Sequence, residues 1–482
     1  MTTSIKITKA GVYLSRHIPF HLGYVDAPPM KVKKLIYWVD IEVNGKRAPG
    51  IASQFAMFQW FDKRPSASED QFLDAIQKTA YHAISTVKKD YSGKPYTPFA
   101  TGFERAEMFR AKAGEFNSTS LGTQMVGALE ETAILDAVSR ALGINAVDFL
   151  VAENCFDLRA SDNDICEVPT NKIFNDKAPE RLFFRHTVGL SDHILNSDRK
   201  EASERSLEGI IKEYKIREFK VKINADIDRN IERLVKMAEL FKRTIGTNYV
   251  FTLDGNEAFK DWNNLIRFVI RFKDTPELSD MAKNTVYLEQ PFYRDMLKKI
   301  DVRGREAIKR LSEELGLRIL IDESGDEHDS YRDAIKKGIT GGGYKMCKGP
   351  LKAMRDRAIA VAHNNKVGRE VCFNSPEDLT VIETTDFPQA LDFFSRLRAC
   401  VNPEFNGVFN TECGISTEDE KKQAERTMPG LYCIENGELK LRLNGNSYPT
   451  RDVLGPGLGG PEVCFEPTAD VPHLRTVIRY VD

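Results

Sequence analysis

The feature that most restricts what this chain can fold into is a recurrence. Short apolar runs keep ending in a charged residue, at nearly constant intervals. In order they are Phe219-Lys220-Val221-Lys222, Val250-Phe251-Thr252-Leu253-Asp254, Val286-Tyr287-Leu288-Glu289, Ile319-Leu320-Ile321-Asp322 and Gly343-Tyr344-Lys345. The steps from Lys222 to Asp254, Glu289, Asp322 and Lys345 are 32, 35, 33 and 23 residues. A strand with its crossover helix needs roughly 30 residues, so three of the steps fit one βαβ unit each. Helical patterns fill the gaps. Ile227, Ile231, Leu234, Val235, Ala238 and Phe241 keep 3,4 spacing behind Asp226, a suitable helix start. Leu265, Phe268, Val269 and Phe272 repeat the pattern, and Ile308, Leu311 and Leu315 do so before Gly316, which suits a helix end.

Parallel strands alternating with helices build an open sheet or a closed barrel. Successive units with functional groups at every carboxyl end favour a (β/α)8-type barrel, whose active site lies on that face. The fold class read from the sequence is therefore α/β. In a closed barrel the strand ends converge, bringing Asp254, Glu289 and Asp322 together between Lys220, Lys222 and Lys345. Three converging carboxylates repel one another, and a hard divalent cation with oxygen ligands relieves this. Magnesium fits because it keeps positions for water and substrate oxygens. A substrate carboxylate on that metal has a more acidic α-proton. Lys220 and Lys222 alternate on one strand and face the same side, so each disfavours the other's charge. That makes Lys222 a candidate base, with Lys345 its counterpart across the mouth.

With these residues in hand, the chain resembles the enolase superfamily in its muconate-lactonising subgroup. The resemblance rests on Lys220-x-Lys222, Asp254-Gly-Asn256, Glu289-Gln290-Pro291, Asp322-Glu323-Ser324 and Lys345-Met-Cys-Lys348, and covers roughly residues 185–365. It implies that Asp254, Glu289 and Asp322 are Mg2+ ligands and that Lys222 and Lys345 are the acid/base pair on opposite faces of a small carboxylate substrate. It further implies that Lys220 helps to hold the substrate carboxylate, and that Asn256 and Glu323 lie near the metal. Residues 366–412 contain no histidine, which disfavours the subgroup that pairs a histidine with an aspartate. Opposed lysines suit racemisation or epimerisation, cycloisomerisation or syn-elimination, hence an isomerase or lyase. An acid-sugar dehydratase and a catalytically retired ligand-binding scaffold are the alternatives. Dipeptide-epimerising members carry an Asp-x-Asp near the eighth strand. None occurs between Val401 and Gly430, which weakens that substrate class.

The 482 residues, 41% hydrophobic, are ample for two domains. An apolar run over Lys34–Glu42, an Asn44-Gly45 hairpin turn, a helical stripe from Phe72 to Val87 and a second helix from Met125 to Leu142 give residues 1–150 an α+β order, which by the resemblance is a capping domain. Residues 151–182 are a polar connection, 183–430 the catalytic barrel, and a tail from about 431 to 482 returns to the cap through Gly455–Gly459. Leu182–Gly189, Glu370–Asn374 and Gly407–Asn410 are expected as the first, seventh and eighth barrel strands, with a helix over Leu351–Asn364. By the resemblance, loops near His17–Ala27 and Ile51–Phe61 close over the mouth. Asn374, Ser375 and Glu412 are further pocket candidates, whereas Lys348 takes no assigned role and His186 and His328 read as packing or loop residues.

A net charge of −2 gives no reason to expect nucleic acid or an anionic membrane as partner. Without an apolar leader, an apolar run long enough to span a bilayer or a Cys-x-x-Cys, the expectation is a cytoplasmic protein with free thiols. The resemblance also implies a homo-oligomer.

Overall fold

The structure, a computed structural model, describes residues 3–20, 30–91, 95–152, 165–201, 204–377, 384–405, 416–465, 467 and 475–481. Strands Thr3–Ser15, Lys34–Val43 and Lys46–Phe55 form an antiparallel sheet. The final strand, Arg475–Val481, pairs with Thr3–Ser15, so the C-terminal end of the described chain completes the N-terminal sheet. At the tip of the hairpin Asn44 and Gly45 take φ of 52° and 79°, the left-handed values that a two-residue turn between twisted strands requires.

One face of this sheet packs on helices Glu69–Tyr91 and Ser120–Leu142. On the other face Tyr13, Ile36, Trp38 and Ile51 gather with Phe465. Helix Ser120–Leu142 begins five residues before its apolar stripe predicts, because the Thr119 hydroxyl caps it by accepting from Gly122 N at 3.0 Å. It is buried around nearly its whole girth, including Glu130, Glu131 and Asp136, since it stands between the cap sheet and the barrel. Helix Pro98–Ala111, with no strong amphipathic stripe, is not among the sequence expectations.

The barrel has seven described parallel strands in chain order: His186–Val188, Glu218–Lys222, Val250–Asp254, Thr285–Glu289, Ile319–Ile321, Gly341–Tyr344 and Phe373–Pro376. Residues 400–404 lie between its two edges. Cys400 N and Glu404 N donate to Asn374 O and Pro376 O on the seventh strand, while Arg185 N donates to Pro403 O beside the first. Gly341 allows the sixth strand to approach closely: a Cβ there would meet Leu320 Cα at 2.8 Å and Phe373 Cζ at 2.5 Å.

Several boundaries differ from expectation. Leu182–Gly189 is two strands, because Arg181–Phe183 pairs antiparallel with Ser447–Pro449 of the tail and only His186–Val188 enters the barrel. The seventh strand starts at Phe373 rather than Glu370. The expected eighth strand, Gly407–Asn410, lies outside the described residues, as do residues 21–27 of the first cap loop and Glu412. In the tail, Leu458 N and Gly459 N donate to Asp136 Oδ1 and Asp392 Oδ2, so one turn ties cap helix to barrel helix. No described helix is long and apolar enough to cross a membrane, and the six described cysteines are free thiols.

Candidate active site

Parallel register sets the site. Lys222 lies beside Asp254 and Asp254 beside Glu289 on adjacent strands, and Asp322 follows directly after the fifth strand. Lys222 Nζ donates to Asp254 Oδ2 at 2.6 Å. Across the mouth Asp322 takes two lysines: Lys348 Nζ bonds its Oδ1 at 2.9 Å and its backbone oxygen at 2.6 Å, and Lys345 Nζ stands 3.3 Å from Oδ2. All these groups are buried; Lys222, at 8% exposure, is the least so.

The sixth strand is followed by Lys345 and then a short turn, Met346–Lys348, so that both of these lysines reach Asp322. The cap holds that turn. Gln124 Nε2 donates to Lys348 O at 2.8 Å, and Glu131 Oε1 accepts from Leu351 N at 3.2 Å, at the start of helix Pro350–Val367. Between them lies Gly349 with φ +96°, where a Cβ would strike Glu131 Oε1 at 2.0 Å. The Trp60 ring covers both lysines, its centroid 5.3 Å from Lys345 Nζ and 6.0 Å from Lys348 Nζ.

Trp60 is itself secured. Arg294 donates to Trp60 O at 2.9 Å and pairs with Glu257, which Lys63 of the same cap segment reaches at 2.5 Å. Beside it Asn256, with φ 44°, donates to Glu323 Oε1 at 2.7 Å. Burial, then the neighbouring Glu257 and Asp322, pushes the Glu323 carboxyl up to about 7.

Deeper in the barrel Lys220 Nζ stands 2.8 Å from Glu289 Oε2 and Glu377 Oε2, 2.9 Å from Glu404 Oε2 and 3.2 Å from Asp254 Oδ2. Arg185, fully buried, pairs with Glu377 at 2.8 Å. The charge of Lys220 is thus taken up by four carboxylates rather than facing Lys222 unshielded. Its three hydrogen bonds go to Glu289, Glu377 and Glu404. Ser375 belongs to this network through Arg185, Tyr287 and Glu377, and Asn374 is wholly buried in its strand.

Burial is the largest influence on each central carboxyl, and neighbours decide the direction. Burial raises Glu289 well above the ordinary carboxylate range, with Asp254 and Glu377 adding to it against Lys220. Asp254 and Asp322 are buried too, yet Lys222 and Lys220 in the first case and Lys345 and Lys348 in the second hold them below that range. For Lys345 burial acts downward, but Asp322 outweighs it and keeps the ammonium form.

Among the described residues no three His, Cys, Asp or Glu side chains are arranged to hold a metal ion as they lie, and ammonium groups lie on oxygens of Asp254 and Asp322. The donor set nevertheless fits magnesium. Three hard carboxylates stand at the ends of successive strands, and Glu289 Oε2 is buried and accepts no hydrogen bond although Lys220 Nζ is 2.8 Å away.

Comparison with solved structures places this geometry among known folds. A dipeptide epimerase from Cytophaga hutchinsonii, complexed with Mg and the dipeptide D-Ala-L-Val, superposes with a TM-score of 0.57 at 13% identity, over 98% of this chain and 100% of that one. The L-Ala-D/L-Glu epimerase from Bacillus subtilis gives 0.54 at 14%, over 95% and 99%. For 2-chloromuconate cycloisomerase from Rhodococcus opacus 1CP the values are 0.53 and 15%, over 94% and 99%. What the chain shares with them is the fold. No family model and no curated protein matches the sequence.

Sequence reasoning missed Arg185, Glu377, Glu404, Lys63, Glu257 and Arg294. Glu377 and Glu404 each stand beside a proline at the edge of a weak apolar run, and a carboxylate at a strand end was the available signal. Arg185 sits between Phe184 and His186 and reads as exposed; only barrel closure brings it inside.

Proposed function

We propose that this protein is an enzyme that abstracts the proton α to the carboxylate of a small molecule, after which a proton returns to the same carbon, as in a racemase or epimerase, or the bond from the β-carbon to a ring oxygen breaks, as in a cycloisomerase run toward ring opening. The single observation that carries this is the pair of buried lysines, Lys222 on Asp254 and Lys345 on Asp322, anchored on carboxylates at different strand ends. Asp254, Glu289 and Asp322 would hold Mg2+, which when bound supplies positive charge for a substrate carboxylate as it gains electron density.

The chain's own residues supply the rest. Lys222 takes the proton as a neutral amine, once its own ammonium proton has gone to solvent and its bond to Asp254 is given up. Lys345, kept protonated by Asp322, is the group placed to deliver a proton from its own strand end. Lys348 fixes Asp322 by its backbone oxygen and side chain together, which keeps Lys345 in position. Trp60 screens Lys345 and Lys348 from water, and positive charge over its ring face adds roughly 0.5–2 kcal/mol per contact.

Incubation with Mg2+ and separate pools of N-acylated amino acids, lactones and sugar acids, followed by chiral chromatography, tests the reading. A changed stereocentre or ring-opened or ring-closed isomer supports it. Formation of 2-keto acids from the sugar-acid pool would instead establish a dehydratase. Thermal stabilisation by a carboxylate without any turnover would establish a binding scaffold.

A further inference from the structure

Lys220 is surrounded in a way that its neighbour Lys222 is not. An ammonium has three N–H donors. Those of Lys220 go to Glu289 Oε1 at 2.9 Å, Glu377 Oε2 at 2.8 Å and Glu404 Oε2 at 2.9 Å, while Asp254 Oδ2 at 3.2 Å is left with proximity alone. Glu377 and Glu404 are fixed by their other oxygens. Glu377 Oε1 accepts from Arg185 at 2.8 Å, Tyr287 at 2.7 Å and Ser375 at 2.6 Å, and Glu404 Oε1 accepts from Thr187. Lys220, Arg185, Glu289, Glu377 and Glu404 are each at most 1% exposed. Lys220 therefore cannot turn to a ligand in the mouth without leaving buried carboxylates unpaired.

Without Glu377 and Glu404 the same ammonium would spend its charge on Asp254 and Glu289. With them, two cations, Lys220 and Arg185, face two anions that belong to the barrel interior. We infer that Glu377 and Glu404 are counter-ions to Lys220 whose effect is to leave the charge of Asp254 and Glu289 available for a divalent cation. Lys220 is on this view a positioning residue for the metal ligands and makes no contact with substrate. The inference rests on the proposed ligand set, and it departs from the substrate-holding role that the sequence resemblance assigns to Lys220.

The test is the affinity of the purified full-length protein for Mg2+, and for Mn2+ as a paramagnetic probe, measured by calorimetry and electron paramagnetic resonance with no substrate present. Lys220→Met removes a cation beside two ligands and should tighten binding about tenfold. Glu404→Gln and Glu377→Gln keep the shape but remove an anion, so each should weaken binding about three- to tenfold. The paired variant Lys220→Met with Glu404→Gln should return to within about threefold of wild type. A residue needed only for folding would not give opposite signs that cancel.

Wild type that binds neither metal at millimolar concentration would overturn the ligand set itself. Wild type that binds, with Glu404→Gln unchanged or Lys220→Met weakened, would overturn the counter-ion role alone. If Lys220→Met is recovered unfolded, the decision falls to Glu404→Gln, whose amide oxygen can still accept from Lys220 while its NH2 donates to the Thr187 hydroxyl: weakened affinity supports the role, and unchanged affinity overturns it.

Discussion

Lys220 and Lys222 lie two residues apart on one barrel strand and point to the same side, yet their surroundings differ. Lys220 is enclosed with Arg185, Glu289, Glu377 and Glu404, a group in which nearly every oxygen accepts a hydrogen bond. Lys222 lies closer to the mouth, in the layer of charge over which Trp60 stands. The difference teaches that a charged residue at a strand end is not by itself a functional one. The inner layer pairs its charges across the barrel interior, whereas the outer layer is the one proposed above to exchange its partners for a ligand.

Variants that strike one layer only would break this comparison if their effects failed to separate. Lys222→Ala should cut turnover by about a thousandfold or more, the scale of a lost general acid/base, while its urea midpoint moves little. Arg185→Met should do the reverse at the level of stability. It leaves Glu377 buried without its strongest partner, at a cost of about 3–5 kcal/mol in urea unfolding.

The cap–barrel joint gives a pH test of intermediate size. Burial pushes Glu131 up to about 8 in the fold, against an ordinary value near 4.5. A carboxyl whose folded value is raised contributes stability that is fully present below its unfolded value and is lost as pH rises through the folded one. Wild type should therefore lose about 1–3 kcal/mol between pH 5 and pH 9 through this group, and Glu131→Gln should flatten that slope in urea titrations at the two pH values.

Gln124→Ala removes one neutral hydrogen bond to Lys348 O and should cost about 1 kcal/mol in the same titration. Smallest of all, Lys63→Ala should change stability by less than about 1 kcal/mol. Its ammonium is partly exposed, and Arg294 still holds Glu257. A larger loss would show that the lid is held mainly by Lys63.

The outer layer was legible in the sequence because each member ends an apolar run at the barrel period. Asp254, Asp322, Lys222 and Lys345 all satisfy that rule, and so does Glu289, which reaches from its strand end into the inner group. The inner layer was not, for a physical reason: Arg185 and Glu404 become neighbours only when residues 400–404 close the barrel, a contact that spans more than two hundred residues of chain. Helix Pro98–Ala111 was missed because tertiary contacts, including buried Arg105 against Glu130, hold it rather than a clean apolar stripe. The division of Leu182–Gly189 had the same source, since Arg181–Phe183 finds its partner in the tail.

The central claim, that Lys222 and Lys345 move a substrate α-proton, is tested most directly by proton NMR in D2O with Mg2+. Wild type, Lys222→Ala and Lys345→Ala would each be followed against the same pools of carboxylates. The account predicts loss of an α-proton signal with wild type, dependent on added metal, and its failure in both variants. Exchange at the wild-type rate in Lys222→Ala, or no exchange in any pool by a wild-type protein shown to bind Mg2+, would contradict it.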